Sequence, residues 1–162
     1  MTDTQKKPLW KNELVWLFLL TSGLFAILYS KFILGGYAYV FTDTGADTMQ
    51  INYAQYGLFS SLFRSGESGY VLQAGLGMDV SSYYPAYLIP YNLLILLAPQ
   101  RLLPWAVLAS AYLKMITISL VGYLFYRKLM QDGIGTMAAA LAWTFSGYVI
   151  LWGQHYGFCT CM

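Results

Sequence analysis

Three stretches of this 162-residue chain are each close to the length of a bilayer crossing and almost wholly apolar: residues 13–34 (ELVWLFLLTSGLFAILYSKFIL), 105–126 and 134–152. A helix needs about 20 such residues to cross a hydrocarbon core of about 30 Å. Backbone in lipid must also satisfy its own N–H and C=O groups, which a helix does. The three stretches therefore predict an all-α, polytopic membrane fold with three spans. The charge content agrees: 10% of residues are charged, against about 25% in a soluble domain, too few to cover a water-facing surface. The net charge is +2. The basic residues sit at span ends rather than in a run or stripe, which argues against nucleic acid as a partner and for the lipid bilayer.

Residues 1–12 are polar and carry Lys6, Lys7 and Lys11. A signal peptide has the same order of features, but its apolar region is about 7–15 residues long and a small-x-small cleavage site follows. Here the run is longer and no such site follows, so residues 13–34 are expected to remain as a first span. Lys31 near its far end can extend to the interface. Gly35 and Gly36 close the helix, and Tyr37, Tyr39 and Phe41 form an aromatic exit. Residues 35–85 make the one long polar stretch, with Asp43, Asp47, Glu67 and Asp79. Within it, residues 48–64 predict an amphipathic helix lying along the membrane surface. Ile51, Ala54, Leu58, Phe59, Leu62 and Phe63 would form its apolar face; Gln50, Tyr53, Gly57, Ser60, Ser61 and Arg64 would form the other. Residues 64–69 (RSGESG) are a turn cluster, and residues 70–82 look like a loop. Residues 86–98 are apolar but would span only about 20 Å as a helix, which predicts a re-entrant or interfacial helix packed on its neighbours. Pro104 suits the first turn of the second span, at 104–128. Gln131, Asp132 and Gly133 predict a tight turn before the third span at 134–152.

Orientation follows from the basic residues. If the helix over 86–98 does not cross, Lys6, Lys7, Lys11, Arg127 and Lys128 share one side, and Arg64 and Arg101 lie on the other. The positive-inside rule makes the first side cytoplasmic. The expected protein is thus a multi-pass membrane protein, with a cytoplasmic N-terminus and the acidic, aromatic stretch outside.

Several residues offer chemistry, and each also has a plainer role. Asp43 and Asp47 stand just beyond the first span. A carboxylate there can act as general base toward an acceptor hydroxyl or hold a divalent cation. Equally, Asp47 with Gln50 reads as a capping box, and Asp43-Thr44-Gly45 as a turn. Lys114 lies near the middle of the second span, where a lysine is costly and faces a cavity or a partner; a lipid phosphate or a set of backbone carbonyls would satisfy it. Arg64 suits a phosphate, or the C-terminal end of its helix. Gln73, Gly75 and Gly77 suit a sugar-binding loop or an ordinary one. His155, the single histidine, has no partner at metal-ligand spacing. Cys159 and Cys161, two residues apart, make a poor disulfide and an incomplete zinc site. The tryptophans and tyrosines fit a membrane belt better than a sugar platform.

The ordered set of segments resembles the beginning of the YfhO family of bacterial membrane proteins. After a first span come GADTMQINYAQYGLFSSLFRSGES and LQAGLGMDVSSYYPAYLIPYNLLILLAP. The lysine-bearing AYLKMITISLVGYLFYRKL and then ALAWTFSGYVILWGQHYGF follow. The resemblance covers residues 14–158. It implies a glycosyltransferase of the GT-C kind, which uses a polyprenyl-phosphate-linked sugar at the outer membrane face; a family member is linked to lipoteichoic acid glycosylation. It implies an essential acid in the first outer loop, a role that falls on Asp47 or Asp43, with Gln50 following. It also matches Lys114 to a lysine in the corresponding span. Sugar, acceptor and metal requirement do not follow from it. Family members have about a dozen or more spans, so the three here are expected to be the N-terminal part of such a protein and inactive alone. The alternative is a small non-catalytic membrane protein serving as accessory subunit or lipid-binding scaffold.

Overall fold

A computed structural model describes residues 12–40, 53–67, 69–72, 77–79, 90–130 and 132–152. Those residues are mostly helical. Helix α1 is Glu13–Leu28, α2 Ser30–Leu34 and α3 Ala54–Ser65. Two short strands follow, β1 Tyr70–Val71 and β2 Met78–Asp79. Helix α4 is Leu93–Leu97, between 3-10 turns at Pro90–Asn92 and Gln100–Leu102. Then come α5 Leu103–Leu129, α6 Gly133–Thr144 and α7 Gly147–Trp152.

The helix starts follow from local chemistry. The Asn12 side chain accepts a hydrogen bond from the Leu14 N–H at 3.1 Å, satisfying one of the donors a helix start leaves open. Pro104 stands in the first turn of α5, where its missing N–H is no loss. Asp132 caps α6, accepting from Ile134 N–H at 3.3 Å and Gly135 N–H at 2.7 Å. Of the expected turn at 131–133, Asp132 and Gly133 are thus a helix cap and the first helical residue, and Gln131 lies outside the described residues. Helix α3 ends in a Schellman motif: Glu67 N–H bonds Leu62 O at 3.1 Å and Gly66 N–H bonds Phe63 O at 3.4 Å. Gly66 takes φ +71°, which only glycine adopts without strain.

Polar contacts between α1 and α5 give the packing direction. Glu13 pairs with Arg127 at 3.1 Å and also accepts from Tyr123. Thr21 and Ser119 share a hydrogen bond of 2.9 Å, and Ser22 and Tyr112 one of 2.8 Å. Rising numbers on α1 meet falling numbers on α5, so the two are antiparallel. The start of α1 and the end of α5 lie together, while Arg101 stands at the opposite end. Helix α6 packs on both, with Leu17, Tyr123 and Ala140 in one buried cluster.

Two helices, Gln100–Leu129 and Gly133–Leu151, are long and apolar enough to cross a membrane. The first expected span differs. It is not one helix over 13–34: α1 stops after 16 residues, and Tyr29, at φ −101° and ψ 16°, separates it from α2. The third apolar stretch is interrupted in the same way at Phe145, with φ −101° and ψ 21°. Both breaks fall beside small or polar residues, Ser30-Lys31 and Ser146-Gly147, but the stretches around them stay apolar enough to read as continuous spans.

Of the helix expected over 86–98, residues 90–98 are described, and the eight helical ones, 90–97, reach about 14 Å, with Ile95 and Leu96 buried. Helix α3 packs against this segment, and its buried face differs from the expected one: the buried positions are Tyr56, Phe59, Ser60 and Leu62. Ser60, expected on the polar face, is fully buried and donates to the Ala98 carbonyl at 2.7 Å. Gln100 donates to the Gly57 carbonyl at 2.7 Å. Phe63, expected on the apolar face, is exposed. The reason is physical: the groove beside residues 90–102 selects the stripe that fits it, including a hydroxyl that satisfies a helix-end carbonyl. In the stretch expected to be loop, β1 and β2 pair antiparallel, Tyr70 opposite Asp79 and Val71 opposite Met78.

Candidate functional site: a lysine cavity between interrupted helices

Lys114 is the twelfth of 27 residues in α5 and only 7% exposed. It lines a cavity of about 20 Å³ whose other polar walls are Ser110, Tyr29 and Tyr39. Ser110 lies one turn before Lys114 on the same face of α5. Tyr29 comes from the break between α1 and α2, and Tyr39 from the segment after α2. Tyr39 donates to the Tyr29 hydroxyl at 3.5 Å. Apolar walls include Ile95 of α4, Val107 and Met115 of α5, and Val149 of α7. The volume suffices for a water-sized group.

The aromatic packing explains why the tyrosines face inward. Phe25 stacks on Tyr29 with centroids 4.3 Å apart. Tyr39 meets Tyr29 and Phe32 edge-on, both at 5.2 Å. Tyr39 was expected at the aromatic exit beside Tyr37. Tyr37 is exposed, as expected, but Tyr39 is buried, because its ring completes this aromatic group.

The first helix interruption borders the cavity, and the second lies in the same core cluster. Tyr29 lines it directly. Phe145 packs on the same core cluster, and Val149 just beyond it lines the cavity. Helices in lipid break where the freed backbone meets protein or a polar cavity, and broken helices commonly frame binding sites. A second cavity, about 80 Å³, lies nearer the start of α5, among Phe32, Gly36, Tyr37, Pro104, Trp105 and Leu108.

The other expected site residues stand apart from Lys114 or outside the description. Asp43, Asp47 and Gln50 lie outside the described residues, as do Gln73, Gly75, His155, Cys159 and Cys161. Arg64 is exposed in the last turn of α3, where a cation favours the helix dipole; it does not line the cavity. Gly77 is described, with φ +107°, next to the β1–β2 pair rather than the cavity. Among the described residues no three His, Cys, Asp or Glu side chains come together as metal ligands. Sequence reasoning missed Ser110, Tyr29 and Tyr39. Only Ser110 had a usable signal, its spacing of four from Lys114.

No family model, characterised protein or solved structure compared with the chain matches it.

Proposed function

We propose that the chain supplies the donor-side helices of a membrane glycosyltransferase-like protein of the GT-C kind. It would act on a polyprenyl-phosphate-linked sugar and modify a cell-envelope polymer such as lipoteichoic acid. The observation that carries this proposal is Lys114, a cation buried near the middle of a membrane-length helix and lining a cavity with three hydroxyl groups. A ligand with an apolar tail and a phosphate suits such a place, because tail and charge are both met inside the bundle. The resemblance to the YfhO family supports the same conclusion.

In this account α1 and α2 cross in series as the first span, since their 21 helical residues reach about 32 Å. The pairing of Glu13 with Arg127 supports a shared cytoplasmic side for residues 1–12 and the end of α5. The stretch over 35–85 then lies outside. Asp47 or Asp43 takes the proton from an acceptor hydroxyl as its oxygen bonds the anomeric carbon. The bond from that carbon to the phosphate oxygen breaks, and the polyprenyl phosphate leaves with the negative charge that Lys114 stabilises. Gln50 and Arg64 stand on the same outer stretch as substrate-binding groups, with a divalent cation as an optional aid.

Sugar transfer by an active protein containing this chain tests the proposal. Asp47→Asn keeps a cap but removes the base, and is expected to lower turnover about 100-fold or more. Asp43→Asn is measured alongside. Parental rates in both variants would remove the outer acids from the mechanism.

A further inference from the structure

Hydroxyl groups within helices usually return to the carbonyl one turn back, and several do so here. Ser22 bonds Phe18 O at 2.7 Å, Thr117 bonds Leu113 O at 2.9 Å and Thr144 bonds Ala140 O at 2.7 Å. Thr21 and Ser119 satisfy each other between helices. Ser110 does neither. It is 2% exposed, and its Oγ has no hydrogen-bond partner among the described residues. A buried polar atom left this way is uncommon and lowers stability. It lines the same cavity as Lys114, one helical turn away.

We propose that Ser110 is a binding residue, holding one oxygen of a polyprenyl phosphate together with Lys114. This rests on the donor assignment above and extends it to a specific atom. The cavity's size sets the mode. About 20 Å³ admits one oxygen-sized group, so a single phosphate oxygen enters while the rest of the group stays at the mouth. That oxygen accepts from the Ser110 hydroxyl and meets the Lys114 ammonium, two donors spaced i and i+4 on one face. The hydroxyl is thus kept open in the free protein because the ligand supplies its acceptor.

The test uses the purified chain in detergent micelles with three probes: farnesyl phosphate, farnesol and inorganic phosphate. Binding is read from the shift in thermal unfolding. Wild type is expected to bind farnesyl phosphate more tightly than either farnesol or inorganic phosphate, so that tail and charge both count. Ser110→Ala without ligand should unfold at the wild-type temperature or slightly above, since an unsatisfied hydroxyl has been removed. The same variant should bind farnesyl phosphate about tenfold more weakly, the loss expected for one hydrogen bond to a charged group, with farnesol binding unchanged. Wild-type affinity for farnesyl phosphate in Ser110→Ala would overturn the role of Ser110 and leave the donor assignment standing. A clear loss of stability in the free variant would also overturn it, by showing a structural partner. Equal wild-type binding of farnesol and farnesyl phosphate would overturn both.

Discussion

At the scale of single residues, small polar groups fix what the apolar pattern leaves open. Asp132 holds two N–H groups at the start of α6. Asp132→Ala should lower stability by about 1 kcal/mol, and Asp132→Asn by much less, as thermal unfolding in detergent would show. Thr21 and Ser119 are buried between α1 and α5. Hydrogen bonds of this kind between helices in lipid contribute about 0.6 kcal/mol on average. Thr21→Val should therefore cost roughly that amount, and the double change with Ser119→Ala should cost little more, because the two losses are one interaction. A fully additive pair would show that the contact does not couple the helices. Lys114 and its burial were legible from sequence, since a lysine ten residues into an apolar run has to be satisfied inside the protein. Tyr39 was not. Its neighbour Tyr37 has the same chemistry two residues nearer the helix end, and the ring packing of Phe25, Tyr29 and Phe32 around Tyr39 separates them.

At the scale of elements, the sequence marks starts and stops better than interruptions. Pro104, Asn12 and the RSGESG cluster announce boundaries through backbone chemistry, and each is where a helix begins or ends. The Gly66 conformation makes a direct test: Gly66→Ala places a Cβ at φ +71° and should destabilise by about 1 kcal/mol through strain alone. Tyr29 breaks its helix without glycine or proline. At Phe145 the following Ser146-Gly147 is a local signal, and the Ser146 hydroxyl accepts from Val149 N–H at 3.4 Å at the start of α7, but the apolar run on either side masks it. The facing of α3 was ambiguous for a related reason. Its pattern allows either Phe63 or Ser60 to turn inward, and the choice falls to Ser60 because the Ala98 carbonyl needs a donor. Ser60→Ala leaves that carbonyl unsatisfied and should cost about 1–3 kcal/mol, whereas Phe63→Ala, at an exposed position, should cost less in detergent.

At the scale of the whole molecule, α1 and α5 run antiparallel with α6 against both, and the Lys114 cavity opens where the first apolar stretch is interrupted. Glu13, Tyr123 and Arg127 tie the bundle at one end, and the aromatic group around Tyr29 closes it near the other. The central claim is that this cavity receives a lipid phosphate. The most direct measurement is equilibrium retention of a polyprenyl phosphate by the chain reconstituted in lipid nanodiscs, comparing wild type with Lys114→Met. Methionine keeps the length and apolar bulk of lysine and removes the charge, so the bundle should stay folded. The account predicts at least tenfold weaker retention by Lys114→Met, in line with loss of a charge-assisted contact in a buried site. Equal retention by the two proteins, with both folded, would contradict it.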